Sequence, residues 1–183
     1  MKKNGKSKKI AFCGVMGAVM LLLMLLGNII PVATYAVPCL ASVLMMVTLE
    51  ECGEASAWTL YAAVSILGLI VIADKELILL FILLMGYYPM LKRRIDRLRH
   101  APVRLIIKLC IFAAAIALMY FILLVLFPVG DIVEEFAGMG TAMTIVLAAV
   151  GLLTFILLDV LLVRLKRIYL NKLRPKLIKG ARN

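Results

Sequence analysis

Two ionisable side chains stand where such groups are costly. Asp159 lies inside an apolar run that ends at Val163, and Lys108 lies just inside another that begins at Leu105. A carboxylate at the centre of a membrane helix costs roughly 2.5–3.5 kcal/mol, less near an interface, so it normally faces protein and has a partner. Arg164 is badly placed for this role, because five residues turn a helix by about 500° and leave it about 140° around the axis. Lys108 enters from the same side at similar depth. The sequence therefore predicts an intramembrane ion pair between Asp159 and Lys108, joining neighbouring antiparallel helices. Its chemistry is charge neutralisation, with a proton or ion relay as the alternative.

A second group has binding rather than catalytic character. Asn28, Thr34 and Tyr35 surround Pro31 and Pro38, and two short acidic stretches carry Asp74, Lys75 and Glu76, and Asp131, Glu134 and Glu135. Proline-interrupted apolar segments point to transporter binding sites, since irregular backbone at membrane depth must line a cavity or be covered by protein. The plain alternatives are a kinked packing helix and solvated loops. A third group is Ala11, Gly14, Gly17 and Ala18, in which Gly14 and Ala18 form a small-xxx-small pair. Small residues allow the close backbone approach on which helix association in lipid depends, within the bundle or with another protein.

Catalytic motifs are missing: there is no phosphate-binding glycine loop, serine elbow, histidine pair or acidic metal cluster of recognised spacing. Cys13, Cys39, Cys52 and Cys110 have no paired spacing and read as structural thiols. His100, the single histidine, falls in a basic stretch. The expectation is a protein that is not an enzyme, with no catalytic residue, no metal and no cofactor.

The elements that must position these residues are membrane helices. Of the 183 residues, 65% are apolar and the mean hydropathy is +1.10, far above soluble domains at about 45–50% apolar. A hydrocarbon core of about 30 Å needs roughly 20 helical residues, and apolar stretches of that order recur along the chain. We place spans at 10–30, 34–49, 55–73, 77–91, 105–127 and 141–163, in a single all-α membrane domain covering residues 1–183. The stretch from Pro38 to Leu49 is about 18 Å of helix and cannot cross unaided. Either that helix starts earlier, or its outer part is irregular.

Basic residues set the orientation. They cluster in the tail 1–9, between Lys92 and Arg104, and in the tail 164–183, so six spans leave all but Lys75 of the 21 Lys and Arg residues on one side. Both termini are expected in the cytoplasm of a multi-pass plasma-membrane protein. The first apolar run exceeds the 7–15 residues usual in a signal peptide, so it is read as an uncleaved helix. The net charge of +11 follows from this topology and from attraction to anionic headgroups, and no aromatic-interleaved basic motif indicates nucleic acid. Trp58, Tyr61, Tyr87 and Tyr88 read as an interfacial aromatic belt. Glu50, Glu51 and Glu54 are open to pairing with basic loops or with a partner.

With its six spans, inside termini, small-residue face on the first helix and proline-broken turn before the second, the chain resembles the substrate-binding S components of energy-coupling-factor (ECF) transporters. That resemblance implies capture of a small micronutrient from outside, together with a transmembrane coupling subunit and two ATPases. Ala11, Gly14, Gly17 and Ala18 would then face the coupling subunit. Asn28, Thr34, Tyr35 and the outer-loop residues Asp74, Glu76, Asp131 and Glu134 would surround substrate. Glycines replace part of that family's alanine series, and no vitamin or cobalt signature is present. The rival is a non-transporting scaffold or cell-envelope assembly protein, similar in span count to the small cell-shape subunits of the MreD type. A transporter needs a polar outer cavity beside the second span, whereas a scaffold can pack that region dry.

Overall fold

Helix accounts for nearly all of the chain that the computed structural model describes, residues 3–27, 33–98, 100–126, 141–169 and 171, and no strand occurs among them. In chain order the elements are α1 (Lys3–Gly27), α2 (Ala33–Cys52), α3 (Glu54–Val71), α4 (Lys75–Leu80), a π-helical turn (Phe81–Met85), α5 (Tyr88–Ile95), α6 (Ala101–Leu126) and α7 (Thr141–Ile168). Four of these helices contain segments long and apolar enough to cross a membrane: Ser7–Gly27, Thr34–Cys52, Glu54–Val71 and Pro102–Met119.

For the second apolar run the choice left by the sequence falls to the earlier start. α2 begins ahead of Pro38 and runs for 20 residues, about 30 Å at 1.5 Å per residue. Pro38 lies in its second turn, where the missing N–H costs one bond to the Thr34 carbonyl. A single residue then joins α2 to α3. Gly53 adopts φ +90°, a region that side-chain-bearing residues rarely enter, so glycine is what allows so short a connection.

α2 and the 75–95 segment form a shared wall between two apolar clusters. On one side Met20 and Met24 of α1 meet Ala41, Met45 and Leu49 of α2, Leu60 and Val64 of α3, and Ile78 and Phe81. On the other, Met46 of α2 and Leu80, Leu84, Met85 and Tyr88 meet Ala115 and Met119 of α6 and Phe155, Leu158 and Leu162 of α7. Unbranched methionines fill the irregular gaps between these helices. The outward faces are apolar as well: Ile10 and Val15 of α1, Ile66 and Ile70 of α3, Ile106 and Phe121 of α6, and Leu153 and Leu157 of α7 are all exposed.

The 75–95 segment departs from simple helix for visible reasons. The Asp74 carboxylate accepts from the Leu77 N–H at 3.1 Å, capping α4, while Lys75 donates to the Leu69 and Ile72 carbonyls at the end of α3 at 3.1 and 2.9 Å. Further along, the Gly86 N–H reaches the Phe81 carbonyl at 2.7 Å, an i to i+5 bond. Such a turn disturbs the i to i+4 ladder, and the Tyr61 hydroxyl donates to the Ile82 carbonyl at 2.6 Å. Two of the four rings read as an interfacial belt also have internal roles. Tyr61 braces the π-turn and Tyr88 is fully buried, while Trp58 remains exposed.

Candidate functional site

Contacts along the chain sort the ends of the helices into two groups. At one end lie the start of α1, the α2–α3 turn, α5, the start of α6 and the last turns of α7. Lys9 donates to the Cys52 carbonyl at 3.5 Å, Arg94 Nε donates to Glu54 at 3.0 Å, Lys166 pairs with Glu50 at 2.8 Å, and the Tyr169 hydroxyl donates to Glu51 at 3.0 Å. The acidic α2–α3 connection is therefore matched internally to basic and hydroxyl groups. Every described Lys and Arg except Lys75 falls in one of these helices or, for Arg97, in the connection between α5 and α6.

Within that end lies a charge cluster. Lys108 Nζ is 2.9 Å from both carboxylate oxygens of Asp159, joining α6 to α7. Three further groups join this predicted pair. Lys92 of α5 also contacts the Asp159 carboxylate, the Tyr88 hydroxyl donates to it at 2.5 Å, and Asp96 lies 3.5 Å from Lys92 and 3.3 Å from Lys108. Two ammonium groups thus face two carboxylates. Lys92 is 6% exposed, and a buried cation of this kind is tolerated because it is paired and hydrogen-bonded. The sequence carries a signal for the missed residues: Tyr88, Lys92 and Asp96 are spaced four apart and so share one helix face.

At the opposite end, Thr34 and Tyr35 at the start of α2 meet the α3–α4 connection. The Thr34 hydroxyl donates to Asp74 at 3.4 Å, and the Tyr35 hydroxyl donates to Glu76 at 2.9 Å. Four of the predicted substrate residues are therefore brought together as two hydrogen-bonded pairs. Asn28, Asp131 and Glu134 lie outside the described residues.

The small-residue face of α1 divides. Gly17 is buried, and a β-carbon there would stand 2.9 Å from Leu60 Cδ1 and 3.6 Å from Val64 Cγ2, so it serves the α1–α3 contact. Gly14, by contrast, has open space where its side chain would be, and Ala11 and Ala18 are exposed. Gly14, Gly17 and Ala18 line a largely apolar groove of about 580 Å³ between α1 and α3, with Ser56, Thr59 and Ala63 on its α3 side. Ala11 lies outside the groove lining.

No protein-family model, curated protein or solved structure matches this chain. The functional reading therefore rests on these three places. Chemically, the basic-end cluster can hold charge and tie α5, α6 and α7 together. The Thr34–Asp74 and Tyr35–Glu76 pairs at the opposite end hold two carboxylates, a hydroxyl and a phenol, and the groove offers a close-packing surface to a helix. Among the described residues no group of three or more His, Cys, Asp or Glu side chains is arranged to hold a metal ion.

Proposed function

We propose that this chain is a membrane-embedded substrate-binding subunit of an uptake transporter, similar to the S components of energy-coupling-factor systems. Its basic end and both termini lie in the cytoplasm, and its outer pairs face the substrate. The observation that carries this reading is the α1–α3 groove. It is lined by Gly14 and Ala18 from one helix and Ser56, Thr59 and Ala63 from the other, and the open space over Gly14 leaves room for a third helix to approach. In lipid, where apolar surfaces gain nothing by meeting one another, such an approach is the main source of association. A transmembrane coupling subunit acting with two ATPases would occupy it. The substrate would be a small micronutrient taken up near Thr34, Tyr35, Asp74 and Glu76.

The test is copurification. The C-terminally tagged chain is extracted in mild detergent, bound proteins are identified by mass spectrometry, and Gly14→Leu/Ala18→Leu serves as the blocked-groove control. Recovery of a membrane subunit with two ATPases, lost in the double variant, is the expected result. Recovery of cell-envelope assembly proteins instead overturns it.

One observation favours a second reading, a non-transporting scaffold. The outer polar groups satisfy one another through the Thr34–Asp74 and Tyr35–Glu76 hydrogen bonds, and none of the three cavities described in the bundle is lined by these four residues. This is how a dry outer end looks among the described residues. Binding of a small solute to the purified protein, weakened by Tyr35→Phe, separates the two readings, because a scaffold has no such solute to lose.

A further inference from the structure

A separate cavity of about 250 Å³ opens at the basic end between α2, α5 and α7. Leu49, Pro89 and Leu162 supply apolar wall, and the charged lining is Glu50, Lys92, Arg93, Asp96 and Lys166. Most of that charge is already matched. Lys166 pairs with Glu50, and Lys92 and Lys108 face Asp96 and Asp159, two against two. Arg93 makes no ion pair among the described residues, and Glu54, which feels its field, is already bound by Arg94. One positive charge is therefore left over in a partly apolar recess.

The complement of that recess is a monoanion with several acceptor oxygens and an apolar continuation. A phosphodiester headgroup with no cation of its own to cancel the charge fits this description. It carries one negative charge, and the planar guanidinium fork of arginine can bind two of its oxygens at once. The volume, about eight waters' share of liquid, suits a headgroup rather than acyl chains. In a membrane-embedded bundle the basic end lies at headgroup level, and basic pockets between helices on that side recruit anionic headgroups. We propose that this cavity holds the phosphodiester headgroup of an anionic phospholipid, with Arg93 as the principal donor and Lys166 at the rim. The proposal rests on the membrane embedding in the reading above and is independent of transport.

The experiment is native mass spectrometry of the purified chain in mild detergent, titrated with phosphatidylglycerol, phosphatidylcholine or inorganic phosphate. Phosphatidylglycerol is expected to bind more tightly than phosphatidylcholine. Arg93→Gln should weaken it about fivefold, the effect of one basic residue at headgroup level. Arg93→Lys should keep most of the binding, and Arg97→Gln, an exposed change outside the cavity, should leave it unaltered. Equal binding of the two lipids, an Arg93→Gln effect no larger than that of Arg97→Gln, or displacement of lipid by equimolar inorganic phosphate overturns the proposal. Circular dichroism and gel filtration check each variant; if Arg93→Gln misfolds, Lys166→Gln takes its place and should weaken phosphatidylglycerol in the same direction. Carbonate extraction of the parent membranes separates the two failures. A chain released by carbonate overturns the embedding, whereas a retained chain without lipid preference overturns the lipid site alone.

Discussion

At the residue scale, Asp159 is the most consequential side chain described. One carboxylate answers Lys92, Lys108 and the Tyr88 hydroxyl. Replacing it by asparagine leaves two partly buried ammonium groups with Asp96 as their remaining counter-charge, and breaking a buried pair from one side costs about 3–5 kcal/mol. We expect Asp159→Asn to lower the thermal unfolding temperature in detergent sharply, and Asp159→Asn/Lys108→Met to recover part of the loss because one stranded charge is removed. If Asp159→Asn leaves expression, folding and transport unchanged, neither an ion pair nor a relay survives as its role. Tyr88→Phe should cost less, about 1.5–3 kcal/mol for one hydrogen bond to a charged acceptor, in the same unfolding assay. The pairing of Asp159 with a lysine from the facing helix can be read from depth alone. Participation of Lys92 depends on α5 continuing past the π-turn and bringing its Tyr88–Lys92–Asp96 face against α7.

At the element scale, glycines of the same type have different jobs. A β-carbon at Gly86 would lie 2.8 Å from the Tyr61 ring and 2.9 Å from the Phe81 carbonyl oxygen. The carbonyl belongs to the backbone and moves only if the π-turn does. Gly86→Ala is therefore expected to destabilise the bundle by about 1–3 kcal/mol, the usual range for overpacking. Gly14→Ala, with nothing in its way, should be neutral or slightly stabilising because alanine is the better helix former by about 1 kcal/mol. Chemical or thermal unfolding of the two variants side by side checks the contrast, and equal effects would contradict the π-turn argument. From the sequence, Gly14, Gly17 and Ala18 form one patch. Packing against Leu60 and Val64 turns Gly17 inward, a matter of helix phase relative to a neighbour that no spacing rule contains.

At the scale of the whole molecule, the contacts gather nearly all of the described basic residues at one end of the bundle and leave the Asp74–Glu76 turn at the other. If the basic end is cytoplasmic, a membrane-impermeant maleimide applied to intact cells should label Ala73→Cys, while Arg97→Cys should react only after permeabilisation. Both positions are exposed, so accessibility within the protein does not confound the result. The reverse pattern would invert the orientation, and labelling of both from outside would break the six-span arrangement.

All-helical architecture was decided by the sequence on its own, because helix in an apolar stretch satisfies every backbone group locally and needs no distant partner. The one-sided distribution of Lys and Arg was likewise a one-dimensional property. What tertiary structure decided was coincidence between distant residues: Lys92 with Asp159, Glu50 with Lys166, Tyr61 with the Ile82 carbonyl, and Arg93 left over beside a cavity. Each depends on the rotation and axial offset of one helix against another. In a chain this uniformly apolar, the alternation of polar and apolar residues that reports such rotation is weak, so the pairing emerges only when the helices pack.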